Sequence, residues 1–382
     1  MTGKLKDGLV KRGTKWSYVV RVADAETGIT RPRWVGGFAS EAAAKSARDD
    51  ARVSARRGGY VDRDTATVGE YLLEWLETHA GSVKPKTLAG YRYDVEHYIN
   101  PRIGGQRLQG LRPAVVSKMY RDLSVGGGRN GGALSARSIA HAHTTLRKAL
   151  NDAVNVEQLI ASNPAERAKR PRVARREVGR IWTAGDLRRF LSAAEQHRLY
   201  AFFRLAAYTG ARRGELLYLR WSDVALDERE VTISGSESVV EGSRVEGTTK
   251  GDRSRVVSLD VGTVAIMREH RTRQVAERLK AGAFWTDTGH VFVTATGGLL
   301  SPDTPTQLMP KLVDKAGVPS SPLHDLRHLH ATTLLLARVP VHVVAARLGH
   351  ADAAITLRVY AHVLRQDTAE VGDVFARAAD SC

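Results

Sequence analysis

The hydrophobic period changes once along this chain, and that change limits what it can fold into. Trp16, Tyr18, Val20 and Val22 alternate with Ser17, Val19 and Arg21, the two-residue period of a half-buried strand. From Val68 onward the spacing is helical, beginning with Val68, Tyr71, Leu72, Trp75 and Leu76, which recur every three to four residues. At 382 residues, 42% of them hydrophobic, the chain can bury two or three cores. The expected class is an α+β multidomain protein: a small N-terminal β-sheet plus helix, an all-α domain, and a mainly α C-terminal domain with a small antiparallel sheet.

Local signals divide it further. Glu26-Thr27-Gly28 has turn chemistry and residues 31–35 read as a return strand. Ser40 suits the cap of a helix reaching about Arg57, on which Lys45, Arg48, Arg52 and Arg56 form a basic stripe. Gly58-Gly59 closes this unit near residue 60. Residues 65–165 read as a helical bundle. Thr87 is expected to cap its second helix and Asn100-Pro101 to stop it; Pro113 opens a third, and Ser135 begins a long fourth. Residues 166–178 form a basic connector holding Lys169, Arg170, Arg172, Arg175 and Arg176. The last domain, 179–382, starts at a capping-box variant, Thr183 and Asp186. Strands are expected at 231–234 and 255–259, and a terminal helix near 368–379.

Lys and Arg number 58 against 41 Asp and Glu, a formal charge of +17. It is unevenly spread: net +6 in residues 1–64, +9 in 65–176 and only +2 thereafter. An excess of this size points to a polyanion, nucleic acid ahead of an anionic membrane surface. No run of 18 apolar residues exists, so no spanning helix is expected, and the N-terminus lacks the apolar stretch of a secretory signal. One cysteine, Cys382, excludes an intrachain disulfide framework and cysteine zinc sites. Cytoplasmic residence is the expectation.

Four strings in the last domain carry chemistry. In TGARRGELLYLRW (209–221), Arg212 stands where a helix begins, beside unpaired backbone N–H groups. In TTKGDRSRVVSL (248–259), Lys250 and Gly251 are expected at the tip of a hairpin. In HDLRHLHATTLLL (324–336), His324 and Arg327 share a helix face. In LGHADAAITLRVYAHV (348–363), His350 precedes Tyr360 by ten residues. Together they supply two guanidinium forks, a lysine, two imidazoles and a phenol. A phosphodiester needs these parts: cations for the non-bridging oxygens, a nucleophile, and a proton donor for the leaving oxygen. No carboxylate pair is placed for two magnesium ions, which disfavours a two-metal nuclease.

These strings, in this order and spacing, resemble the tyrosine recombinases, the phage integrase family. TGxRxxE falls on Thr209, Gly210, Arg212 and Glu215, and HxLRH on His324, Leu326, Arg327 and His328. LGH with its later tyrosine falls on Leu348, Gly349, His350 and Tyr360. The resemblance implies that Tyr360 attacks the scissile phosphate to form a 3′-phosphotyrosyl link and that Arg212 and Arg327 hold its oxygens. It makes Lys250 the general acid, His324 and His350 aids to proton transfer, and Glu215 a support for the arginine helix. The covalent link would store the bond energy, so no cofactor, ATP or essential metal is implied. It makes residues 65–165 a core-binding domain, and 1–60 an arm-binding domain whose sheet enters the major groove, with Lys15, Arg21, Arg31 and Arg33 as its contacts. Lys84, Lys86 and Arg137 are further expected DNA contacts. Implied partners are double-stranded attachment sites, a homotetramer with a dimer per site, and an accessory DNA-bending or directionality factor. Three other readings use related parts: a relaxase-like nickase built on His141-Ala-His143 or His328-Leu-His330, a type IB topoisomerase, and a non-catalytic DNA-binding regulator.

Overall fold

The computed structural model describes residues 7–23, 29–56, 61, 64–128, 131–174, 182–248, 254–350, 352–354, 356–357 and 380. The chain is α+β and divides into two units, Met1–Arg175 and Arg176–Cys382.

The first unit opens with an antiparallel sheet of β1 (Leu9–Arg12), β2 (Lys15–Ala23) and β3 (Thr30–Phe38), followed by α1 (Glu41–Arg56). Strand β1 was not expected from the sequence: its four residues hold only Leu9 and Val10 as apolar members, too few to show alternation. Leu9, Tyr18 and Val20 pack against Ala44 and Ala51 of α1, whose small side chains let helix and sheet approach closely. The register divides the four expected sheet contacts between two faces. Val20 pairs with Arg33 and Val22 with Arg31, which puts these arginines on the α1 side. Lys15 and Arg21 alternate with the core residues and occupy the opposite side, with Arg12, the partner of Lys15, and Trp34. There the Arg12 guanidinium lies 5.1 Å from the centre of the Trp34 ring, a cation–π contact. The helix stripe is also not uniformly exposed. Arg48 is 2% exposed; its guanidinium is bound by Asp7 and Asp49, each at 2.7 Å. Arg52 lies 3.6 Å from Asp7 as well.

The helical part comprises α2 (Val68–His79), α3 (Pro85–Asp94), a π-turn over Val95–Ile99, α4 (Asn100–Ile103), α5 (Pro113–Gly126) and α6 (Ala136–Asn155). Trp75, Leu72, Ile99, Met119, Tyr120, Leu123 and Ile139 form its centre, each under 2% exposed. Burial of each of these large side chains contributes roughly 2–3 kcal/mol. Two boundaries differ from expectation. Pro85, not a residue after Thr87, takes the first helical position with Lys84 as cap, because its fixed φ suits N1 and its missing N–H is not needed there. Pro101 does not stop the chain's helical path. It cannot donate to the carbonyl of His97 four residues back, and the path accommodates it by widening into the π-turn. Arg102 Nη1 then supplies donors to the carbonyls of His97 and Tyr98, at 3.3 and 3.2 Å. Lys84, Lys86, Arg137, Lys169, Arg170 and Arg172 are all exposed; Arg175 and Arg176 lie outside the described residues.

The second unit contains α7 (Ala184–Ala194), α8 (Tyr200–Thr209), α9 (Arg213–Tyr218), β4 (Val224–Ala225), β5 (Glu230–Ile233), β6 (Gly235–Val240), β7 (Ser243–Thr248), β8 (Arg255–Ser258), α10 (Val261–Ala281), α11 (Asp303–Ala316), α12 (Asp325–Leu336) and α13 (Val341–Leu348). The Thr183–Asp186 capping box starts α7, worth about 1 kcal/mol. Phe190, Phe202, Phe203, Leu216 and Phe292 anchor its core. Strand β8 pairs with β5, and β6 pairs with β7 around Glu241-Gly242. The β6–β7 hairpin turns at Glu241-Gly242; Lys250 and Gly251, expected at a hairpin tip, fall in residues 249–253, which are outside the described residues. The terminal helix expected near 368–379 is outside them too.

Candidate active site

Helix α8 ends at Gly210, whose φ of +66° is the left-handed cap conformation. A Cβ there would lie 2.7 Å from Leu348 Cδ2 and 3.0 Å from His330 Cδ2, so glycine is required on both counts. The buried Thr209 hydroxyl donates to the Leu205 carbonyl at 2.6 Å and accepts from the Ala211 amide at 3.2 Å. This turn delivers Arg212 to the N-terminal end of α9. Its backbone N–H donates to Glu215 Oε2 at 2.8 Å and its Nη1 to Oε1 at 2.7 Å, so the fully buried carboxylate fixes both the helix start and the guanidinium.

Arg327, one turn into α12, is 3% exposed. Its Nη1 donates to the carbonyl of Gly210 at 2.7 Å and its Nη2 to that of Leu348 at 2.6 Å. One side chain thus ties α12 to the turn before Arg212 and to the end of α13. His324 stands at the head of α12, its ring 5.1 Å from that of His328. His350, just past α13, is hydrogen-bonded through Nδ1 to Thr356 Oγ1 at 2.7 Å.

The electrostatics report the same convergence. The His324 imidazole is held down to about 4, by burial first and then by the charges of His328, Arg327 and Arg212. His350 is also held down to about 4, by burial and then by Arg327, Arg212, Arg255 and His328. Both rings are therefore neutral near pH 7 and able to donate or accept a proton. Burial pushes the Glu215 carboxyl up, but the bonds and charge of Arg255, then those of Arg212, outweigh it and hold it below its ordinary value.

The structure brings together Arg212, Glu215, His324, Arg327 and His350; Lys250 and Tyr360 lie outside the described residues. Beside this group is a cavity of about 280 Å³, lined by Phe202, Ala206, Leu216, Leu326, His324 and Arg327 among others. Two further arginines belong to the site's frame and escaped the sequence reading. Arg255 chelates Glu215, with Nη2 to Oε2 at 2.7 Å and Nη1 to Oε1 at 3.3 Å. Arg347 donates to the carbonyls of Tyr208 and Ser258 and to His330 Nε2. A signal for Arg255 existed: it shares a strand face with the buried Val257, and an inward arginine needs a carboxylate.

His330 accepts from Arg347 through Nε2 and contacts the Ala207 carbonyl through Nδ1 at 3.0 Å. Both its nitrogens are engaged, and it sits on a helix. His141 and His143 are on helix α6. Among the described residues no three His, Cys, Asp or Glu side chains are grouped to hold a metal ion.

Two forked cations, one of them buried, and two neutral imidazoles thus lie together, groups of the kind that can neutralise phosphate oxygens and pass protons. Residues 180–367 match the phage integrase family, and residues 67–124 match the phage integrase N-terminal SAM-like domain. The chain belongs to this family, the tyrosine recombinases. A tyrosine recombinase XerC-like protein of Caldanaerobacter subterraneus is 29% identical over 94% of this chain and 95% of its own. An integrase of Saccharopolyspora erythraea is 25% identical over 80% of this chain and 81% of its own. In fold, the chain resembles the Tn1549 transposon integrase solved with transposon right-end DNA (TM-score 0.65, 19% identity, 82% of this chain and 99% of that one). It also resembles lambda integrase solved as a tetramer on a Holliday junction (TM-score 0.53, 19% identity, 92% and 95%).

Proposed function

We propose that this enzyme, a site-specific DNA recombinase, performs its chemistry with the residues gathered here, together with Lys250 and Tyr360. Arg212 and Arg327 bind the non-bridging oxygens of the scissile phosphate. The Tyr360 phenol oxygen forms a bond to phosphorus as the bond from phosphorus to the 5′ oxygen breaks. Lys250 gives a proton to that leaving oxygen, and His324 and His350, as neutral imidazoles, assist the proton transfers. One proton leaves the phenol as one reaches the 5′ oxygen, so the step needs no ATP and no redox partner. Religation runs the same exchange backwards with a new 5′-hydroxyl.

The observation that carries this reading is the meeting of Arg212, His324, Arg327 and His350 from three separate stretches of chain. Residues 65–165 serve as the core-binding domain and 1–60 as the arm-binding domain. On the latter, the sheet face opposite α1, with Arg12, Lys15, Arg21 and Trp34, is the DNA face. The partners are double-stranded attachment sites, bound by a dimer each and joined in a homotetramer, with an accessory bending or directionality factor; the setting is the cytoplasm. Incubation with two duplex sites in EDTA tests the reading. Recombinant products that depend on the site sequence are expected; relaxation of any supercoiled DNA without exchange would favour a topoisomerase, and loss of cleavage in EDTA a metal-dependent nickase.

A further inference from the structure

Glu215 is the only carboxylate bound by Arg212 among the described residues, and Arg212 does not have it alone. The two oxygens of this buried carboxylate take four N–H donors, two from Arg212 and two from Arg255. Arg212 and Glu215 by themselves would be a neutral pair, with the guanidinium drawn onto a full negative charge. With Arg255 the cluster carries a net charge of one positive unit, and the carboxylate's charge is divided between two cations.

Arg255 is itself held in place. It begins β8, where its partner is Ile233 of β5, and its Nε donates to the Arg347 carbonyl at the end of α13, at 2.9 Å. Gly349, with a φ of +67°, leaves room for it: a Cβ there would lie 2.7 Å from Arg255 Nη1. The chain then runs directly into His350. A single side chain thereby joins β8, the carboxylate that holds Arg212, and the segment that carries His350.

We infer that Arg255 is a positioning residue for the strand-cleavage reaction: by sharing Glu215 it keeps the Arg212 guanidinium aimed, and the Arg212–Glu215–Arg255 cluster net positive, for the scissile phosphate. The inference rests on the proposed role of Arg212 at that phosphate.

The test compares cleavage of an ordinary phosphodiester with that of a methylphosphonate, which has no charge at the scissile position. Arg212→Ala, Arg255→Met and the double variant Arg255→Met with Glu215→Gln are measured beside the wild type, at saturating DNA, with thermal unfolding as a separate readout. Arg255→Met should slow phosphodiester cleavage by about ten- to a hundredfold, and the gap to wild type should shrink to about threefold or less on the methylphosphonate. The double variant restores the net charge and should cleave the phosphodiester faster than Arg255→Met alone. An Arg255→Met deficit equal on both substrates, or a double variant no faster than Arg255→Met, would overturn the inference. Should the Arg212→Ala deficit itself not shrink on the methylphosphonate, the reading of Arg212 at the phosphate is what fails.

Discussion

Arg327 donates through Nη1 to the carbonyl of Gly210 at 2.7 Å. The contact joins two of the short strings that stand out in the sequence, 117 residues apart, and places the second guanidinium behind the turn that presents the first. Arg327 therefore supports the frame as well as the charge of the site.

Removal of Arg327 should show both roles. Arg327→Ala leaves the Gly210 and Leu348 carbonyls without this donor, and each unpaired buried group costs about 1–3 kcal/mol. Calorimetry should record a lower Tm, and cleavage should fall by about a hundredfold or more. An Arg327→Ala protein with unchanged Tm would show that those carbonyls find other donors.

Histidine protonation sets an acid limit on stability. His324, His330 and His350 are each held down to about 4 against an ordinary 6.5. Above 6.5 the folded and unfolded states both carry them neutral. As pH falls below 6.5 the unfolded chain takes up protons that the folded one refuses, so stability drops between about 6.5 and about 4. The Tm should decline over that window. A bound phosphate opposes the arginine charges, so the His350 titration followed by NMR should move upward when DNA binds; an unchanged midpoint would place the phosphate elsewhere.

Affinity should depend steeply on salt. Each phosphate neutralised contributes a slope of about −0.9 in log affinity against log salt. Replacing Lys169, Arg170 and Arg172 with alanine should flatten the slope while site preference is kept, since phosphate contacts position and base contacts specify. A changed preference would mean base readout by the connector.

The two faces of the N-terminal sheet should behave differently. Alanine at Arg21 and Trp34 is expected to weaken arm-site binding by about tenfold each, roughly 1.4 kcal/mol. Alanine at Arg31 and Arg33, on the α1 side, should cost about threefold or less. The opposite order in a binding titration would reverse the assignment of the DNA face.

What could be read in advance was local. Arg212 and Glu215, or His324 and Arg327, lie within one helical turn, and spacing alone aligns them. The period-2 run through Tyr18 and Val20 announced its strand for the same reason. What escaped depends on partners distant in sequence. Arg255 is 40 residues from Glu215, and the split of Arg31 and Arg33 from Lys15 and Arg21 depends on the pairing of β2 with β3. Pro101 misled because its lost hydrogen bond is offset by a π-turn and by Arg102, which no single-residue preference encodes.

The central claim is that Tyr360 attacks DNA. The most direct measurement is the covalent complex trapped on a nicked attachment-site duplex, resolved under denaturing conditions and mapped by proteolysis. Wild-type protein should form a denaturation-resistant adduct linked to the 3′ phosphate through Tyr360, and Tyr360→Phe should form none. A wild type that forms no adduct on its own site, or an adduct that persists in Tyr360→Phe, would contradict the account.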